Sequence, residues 1–303
     1  MQLRPLLRLS FLPALAIVGL SAAPARAQIT HLEALSIDQA QETPPTGSAA
    51  TGRGDITVNT FSHVVKFNIT FSGLGSAQTL AHIHGPAAVG VAGPIMFTLP
   101  LGSPCTGQVA STAGQEADVL NGLTYSNIHT SNFGGGEIRG QYTVSPSVGT
   151  ALCFGDGTGS ACPCANFGAP GHGCENSSTT GGALLKATGH TSPDNVVLIS
   201  TNEKPSVLTI FLSGTAQVGP FIYGDGLRCV GGTQKRLAAK NATGGAVAYP
   251  EGAELSITAR LAALGNPVSP GQHRYFLAFY RDSLASFCPG QEFNASNTID
   301  ILW

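Results

Sequence analysis

The sequence predicts an all-β protein: an antiparallel β-sandwich or barrel followed by a second, disulfide-stapled β-domain. Three observations carry this. The chain holds 39 Gly and 19 Pro in 303 residues, the mark of short strands joined by tight turns. Apolar residues alternate with polar ones in several segments, the two-residue period of a half-buried strand. Six of the 7 cysteines lie after residue 150, which sets the second half apart.

The N-terminus reads as a secretory signal over residues 1–27. Arg4 and Arg8 give a basic start, Phe11 to Leu20 a short apolar run, and Ala25-Arg26-Ala27 a small-x-small cleavage site, so the mature chain is expected to begin at Gln28. No later segment approaches the roughly 20 apolar residues of a membrane-spanning helix. The expected location is therefore secreted, extracellular or at the cell surface, with the periplasm as the bacterial equivalent. Charged residues make up 11% and the net charge is −2. With no basic stripe to follow a phosphate backbone, nucleic acid is not an expected partner. The expected partner is an extracellular protein or surface component.

In residues 28–147, Val65, Phe67, Ile69 and Phe71 alternate with Lys66, Asn68 and Thr70 as one strand. Ile56 and Val58 mark a strand before it. Ile138, Tyr142 and Val144 mark a later one. One helix is predicted, with Thr112 as N-cap, Gln115 at the capping-box position and Asn121-Gly122 as its stop. The Ser145-Pro146-Ser147-Val148-Gly149 stretch marks the seam between domains. In residues 150–303, strands are expected at Val196–Ile199, Val207–Leu212, Leu255–Leu261 and Tyr275–Arg281, separated by glycine-rich turns. Each half, at roughly 115 to 150 residues, is long enough to bury its own core.

Cysteines in an exported chain are read as disulfides. Cys153, Cys162, Cys164, Cys174, Cys229 and Cys288 are the candidates and Cys105 stands alone. Six cysteines allow 15 pairings. Adjacent late strands would bring Cys229 to Cys288, leaving the other four to staple the Cys153–Cys174 loop. A zinc reading of Cys162-Pro163-Cys164 is weaker, because the spacing is C-x-C in an oxidising compartment.

Two segments carry the chemistry: Ala81-His82-Ile83-His84-Gly85-Pro86-Ala87 and Tyr125-Ser126-Asn127-Ile128-His129-Thr130. His82 and His84 are two apart, so on a strand both leave the same face. If His129 joins them, three imidazoles suit copper or zinc. The competing reading is structural, with the imidazoles hydrogen-bonded into the strand that carries Glu137 and Arg139 and holding loops together. That structural reading leads, so no cofactor is expected, and copper or zinc is the alternative. Glu137 and Arg139 either bind a partner's charged group or orient His82 or His129, or else form a cross-strand ion pair on a solvated face, which stabilises little. Asp156 and Asp225 sit in Gly-Asp-Gly turns. They read as turn residues beside positive-φ glycines, with a calcium ligand as the alternative. Tyr275, Phe276, Phe279 and Tyr280 read as core packing of one strand rather than a sugar platform. No nucleophile elbow, zinc-protease helix, phosphate loop or dinucleotide fingerprint is present.

In order along the chain, five blocks resemble the CHRD domain, the module named after chordin. They are Ala40-Gln41-Glu42-Thr43-Pro44-Pro45, Phe71-Ser72-Gly73-Leu74, the His82/His84 block, the His129 block, and Gly136-Glu137-Ile138-Arg139-Gly140-Gln141. The resemblance covers about residues 30–145. It departs at Ser131-Asn132-Phe133-Gly134, where the family often carries Pro. It implies a β-rich, extracellular, non-catalytic binding or structural module and assigns no catalytic residue. The His-x-His strand also resembles the copper-binding strand of Cu/Zn superoxide dismutases, without their bridging-histidine loop. This likeness implies the alternative function, an exported metal-binding and redox-active domain using His82, His84 and His129. Residues 150–303 resemble a cysteine-bearing C-terminal module of secreted bacterial proteins, through Cys153-Phe154-Gly155-Asp156-Gly157, Gly224-Asp225-Gly226-Leu227-Arg228-Cys229 and Tyr280-Arg281-Asp282.

Overall fold

Alternating side chains close the first half into an antiparallel, nearly closed barrel-like sheet. The computed structural model describes residues 28–288 and 291–303, so the expected export signal lies outside the described residues. Along the chain run Ile29–Asp38 (β1), Thr51–Asn59 (β2), Val64–Ser72 (β3), Gln78–His84 (β4), Ile95–Thr98 (β5) and Cys105–Ala110 (β6). The helix Ala113–Leu120 (α1) follows, then Tyr125–Thr130 (β7), Ile138–Gln141 (β8) and Thr143–Val144 (β9). The sheet order is β5-β4-β7-β8-β1-β2-β3-β6, with β9 also on β1. The predicted capping box holds α1: Thr112 accepts from the Gln115 N–H, and the Gln115 side chain accepts from the Thr112 N–H.

One face of this sheet packs inward. Leu32, Ile56, Val58, Val65, Phe67, Ile69, Ile83, Ile128 and Ile138 fill the core with the fully buried Tyr142. The Tyr142 hydroxyl lies 2.7 Å from Ser126 Oγ. A Cβ at position 54 would stand 2.6 Å from that hydroxyl, so Gly54 is what lets the phenol enter. The opposite face of β4, β7 and β8 is covered by loops, and the histidines lie there.

The second half comprises Thr150–Leu152 (β10), Leu184–Thr188 (β11), Val197–Thr201 (β12), Leu208–Gly214 (β13), Ala216–Tyr223 (β14), Gly226–Gly231 (β15), Lys235–Asn241 (β16) and Val247–Tyr249 (β17). Ile257–Ala263 (α2), His273–Arg281 (β18) and Phe293–Leu302 (β19) complete it. Its sheets are β10-β19-β18-β13-β16, β11-β12-β17 and β14-β15. Phe276 and Tyr280 are buried and Tyr275 and Phe279 pack partly buried against the same strands, so the aromatic residues of β18 serve packing.

Two expectations are corrected. Leu255–Leu261 is not a strand. Ser256 caps the N-terminus of α2, accepting from the Ala259 N–H, and Ile257 and Leu261 share its buried face. The i, i+4 spacing of these two apolar residues coincides with an alternating pattern over so short a stretch, and the cap decides between them. The disulfides are Cys153–Cys229, Cys162–Cys174 and Cys164–Cys288. Cys229 does not pair with Cys288, because it lies on β15, across from the Cys153 segment. Cys162 and Cys164 join different bridges, which removes the zinc reading. Cys105 is buried and free.

The halves are packed on each other. Ile29 joins Val197, Ile199, Ala246 and Ala248 in one apolar cluster. Buried Glu33 accepts hydrogen bonds from Asn195 Nδ2 at 2.6 Å and His190 Nε2 at 3.0 Å. Glu251 receives Lys66 at 2.7 Å and Lys240 at 3.0 Å.

Candidate metal centre

Strand parity builds the site. Ala81 and Ile83 of β4 point into the core, so His82 and His84 point out. On β7, Ser126 and Ile128 point inward, so Tyr125, Asn127 and His129 point out with the histidines. The register sets His82 opposite Asn127 and His84 opposite Tyr125. His129 lies diagonal to His82, within reach of a long side chain.

The three imidazoles converge. One ring nitrogen from each of His82, His84 and His129 lies within 4.8 Å of the others. His82 Nδ1 is 3.1 Å from His129 Nε2. Two nitrogens bound tetrahedrally to one ion at about 2.0–2.1 Å stand roughly 3.3 Å apart, so this separation suits shared coordination. The residues are 4%, 8% and 6% exposed. Two of the rings are oriented by backbone. His84 Nδ1 donates to the Gly93 carbonyl at 2.9 Å, and His129 Nδ1 donates to the Gly134 carbonyl at 3.0 Å. Those bonds place the lone pairs on the Nε2 atoms, the arrangement found behind metal-bound histidines; that of His129 accepts from His82 Nδ1–H, a proton an ion would displace. His84 Nε2 is buried without a protein partner.

All three imidazoles are held below the ordinary histidine range. Burial is the main cause at each. The neighbouring imidazoles add to it at His82, and Arg139 adds to it at His84, while the Gly93 and Gly134 carbonyls oppose it. Neutral imidazole is the form that binds metal.

Around the rings, Tyr125 stacks on His84 with centroids 5.0 Å apart and planes 8° from parallel. The Arg139 guanidinium lies 3.4 Å from the centre of the Tyr125 ring. It also donates to the Val91 carbonyl at 2.9 Å and the Ala88 carbonyl at 3.3 Å, fastening the loop that carries Gly93. Glu42 is pushed up to about 7 by burial, with Arg139 opposing. Its Oε1 and Asn127 Oδ1 are buried without partners, and a Cβ on Gly136 would come within 2.6 Å and 2.2 Å of them. Gly136 has φ +129°, so both space and backbone require glycine there.

Glu137 and Arg139 do not pair on a solvated face. Both are buried. Glu137 accepts from Ser48 Oγ at 2.5 Å, Thr130 Oγ1 at 2.7 Å and Gly75 N–H at 2.7 Å, whereas Arg139 covers Tyr125. The two charged residues therefore serve separate sets of neighbours. Among the described residues the imidazoles do not bond to the strand of Arg139, but His84 and His129 do hold loops, through the Gly93 and Gly134 carbonyls. Glu42 and Tyr125 were not singled out as site residues. Tyr125 was findable, since it shares parity with His129, whereas nothing local places Glu42 beside Asn127.

Among the described residues no helix is long and apolar enough to cross a membrane. Neither a comparison with curated proteins nor one with solved structures finds a match. Residues 34–142, the segment that carries the histidines, match the CHRD domain family, in agreement with the resemblance read from the sequence blocks.

Proposed function

We propose that this protein is a non-catalytic extracytoplasmic binding module whose CHRD segment holds one copper- or zinc-class ion through His82, His84 and His129. The observation that carries the reading is the convergence of three buried, neutral imidazoles within 4.8 Å, two of them aimed by backbone carbonyls. The donor set contains nitrogen alone, which suits copper and zinc and disfavours calcium or magnesium. Copper(II) is the tighter binder of the two by the general order of divalent affinities. The CHRD match supports a binding role rather than a catalytic one, and the three disulfides are compatible with an oxidising compartment.

Metal analysis of the purified mature protein tests this. One copper or zinc per chain is expected, with affinity falling as pH drops through roughly 6.5 and below. His82→Ala and His129→Ala should each abolish stoichiometric uptake while circular dichroism stays unchanged. Wild type that takes up neither ion, with both variants unfolded, would assign the imidazoles to the structure alone. Each would then cost about 1–3 kcal/mol to leave unpaired.

A further inference from the structure

The two Gly-Asp-Gly turns have the same sequence and opposite surroundings. Asp156 is a satisfied turn residue. Its carboxylate accepts from the Thr158 N–H at 3.0 Å, the Thr158 hydroxyl at 2.5 Å and the Gly171 N–H at 2.7 Å. Asp225 is fully buried, and among the described residues neither of its carboxylate oxygens has a partner. Its backbone is committed elsewhere: the N–H donates to the Phe293 carbonyl at 2.8 Å and the carbonyl accepts from Asn166 Nδ2 at 2.9 Å. A turn aspartate that bonds its own turn does not describe it.

Asp225 faces a second buried carboxylate. Asp282 is also fully buried, and its N–H donates to the Glu292 carbonyl at 2.9 Å, next to the Phe293 carbonyl that Asp225 bonds; both it and Lys204 interact electrostatically with Asp225. Asp282 accepts from the Ser177 N–H at 3.1 Å, from the Ser177 hydroxyl and from Lys204 Nζ at 3.2 Å. One ammonium thus faces two carboxylates, and it sits on Asp282. The Asp225 carboxylate is left without a direct partner in a buried setting, where an unpaired carboxylate is strongly disfavoured. The segment of Asn166, which bonds the Asp225 carbonyl, is cross-linked to the segment that follows Asp282 by Cys164–Cys288.

We propose that Asp225 and Asp282 are the carboxylate ligands of a calcium site in the second half of the chain. An all-oxygen donor set selects a hard cation, and carbonyl and water oxygens complete such a shell. The site is independent of the histidines in chemistry and position. With two carboxylates, it belongs to the weak class of extracellular calcium sites, with Kd on the order of 0.1–1 mM.

Whole mature protein, stripped with a chelator and titrated with calcium alone, tests the proposal. One calcium per chain is expected, with the melting temperature rising by about 3–6 °C at a tenfold excess over Kd. Asp225→Asn should remove both effects. Terbium supplies a second readout that needs no carboxylate variant. Bound between the carboxylates, it should be sensitised by Tyr280, whose hydroxyl accepts at 3.2 Å from Nδ2 of Asn176, the residue before Ser177. Calcium should quench the emission and Tyr280→Phe should reduce it several-fold. Identical melting in calcium and chelator overturns the proposal. So does an Asp225→Asn protein that keeps the calcium shift, or terbium emission indifferent to both calcium and Tyr280→Phe.

Discussion

The halves of this molecule fix their loops by different means. In residues 34–142 the loops over the outer face of β4, β7 and β8 are held by side chains reaching carbonyls. His84 holds Gly93, His129 holds Gly134, and Arg139 holds Val91 and Ala88. No disulfide is present there, and Cys105 is buried and free. After residue 150 three disulfides do this work, closing separations of 76, 12 and 124 residues. The difference has a thermodynamic meaning. A side chain bonded to a carbonyl contributes only in the folded state, whereas a disulfide acts mainly by restricting the unfolded chain. The first strategy leaves imidazole lone pairs for use; the second leaves the thiols consumed.

The largest test of this contrast removes the longest covalent tie. Cys164→Ser with Cys288→Ser should cost about 2–5 kcal/mol, by the loop-closure argument. Chemical denaturation should show the loss in the second half, while Cys105→Ser changes stability little. Equal losses from the two changes would erase the contrast.

A second test addresses the seam that joins the halves. Burial opposes ionisation of Glu251, but Lys240 and Lys66 outweigh it and hold the carboxyl below its usual range. The stability this contributes is present above the ordinary glutamate pKa and lost as pH falls through the lowered one. Glu251→Gln should cost roughly 3 kcal/mol at pH 7, the low end for breaking a buried pair. By calorimetry the wild type should melt in one transition and the variant in two. A single, unshifted transition would mean that the apolar cluster around Ile29 couples the halves unaided.

The smallest effect runs the opposite way in pH. Glu203 is buried with only the Ser200 and Thr209 hydroxyls as partners, and burial raises it to about 7. A raised carboxyl contributes stability fully present below its unfolded value, lost as pH climbs through the folded one. Glu203→Gln should therefore raise stability at pH 8 by about 1–2 kcal/mol and change it little at pH 5. Denaturant melts at the two pH values measure this. An equal effect at both would show that Glu203 does not titrate as its burial requires.

Much of this was legible locally. The run from Val65 to Phe71 forms β3, and Thr112 with Gln115 caps α1. The two-residue spacing of His82 and His84 does put both on one face, because pleat parity is a property of neighbouring residues. The segment from Leu255 to Leu261 misled for the same reason: over seven residues a helix face and an alternating strand share apolar positions, and only the Ser256 cap separates them. Glu137 and Arg139 misled by parity, since Glu137 precedes β8 and follows Gly136 with its positive φ.

By itself, the sequence determined what short-range physics determines: the strand content, the cap of α1, the shared face of His82 and His84, and a cysteine count that demands cross-links. Only the tertiary structure decided which residues distant in the chain meet. The β4–β7 register brings His129 to His82 across 47 residues. The approach of β15 to the Cys153 segment cuts the 15 disulfide patterns to three, and the meeting of Cys162 with Cys174 chooses among them. Enclosure by Phe293, Asn166 and Asp282 makes Asp225 a buried, unpartnered carboxylate, while Asp156 in the same tripeptide is satisfied by its own turn and by Gly171. Parity and capping are carried by adjacent residues, whereas burial and pairing depend on segments that only folding brings together.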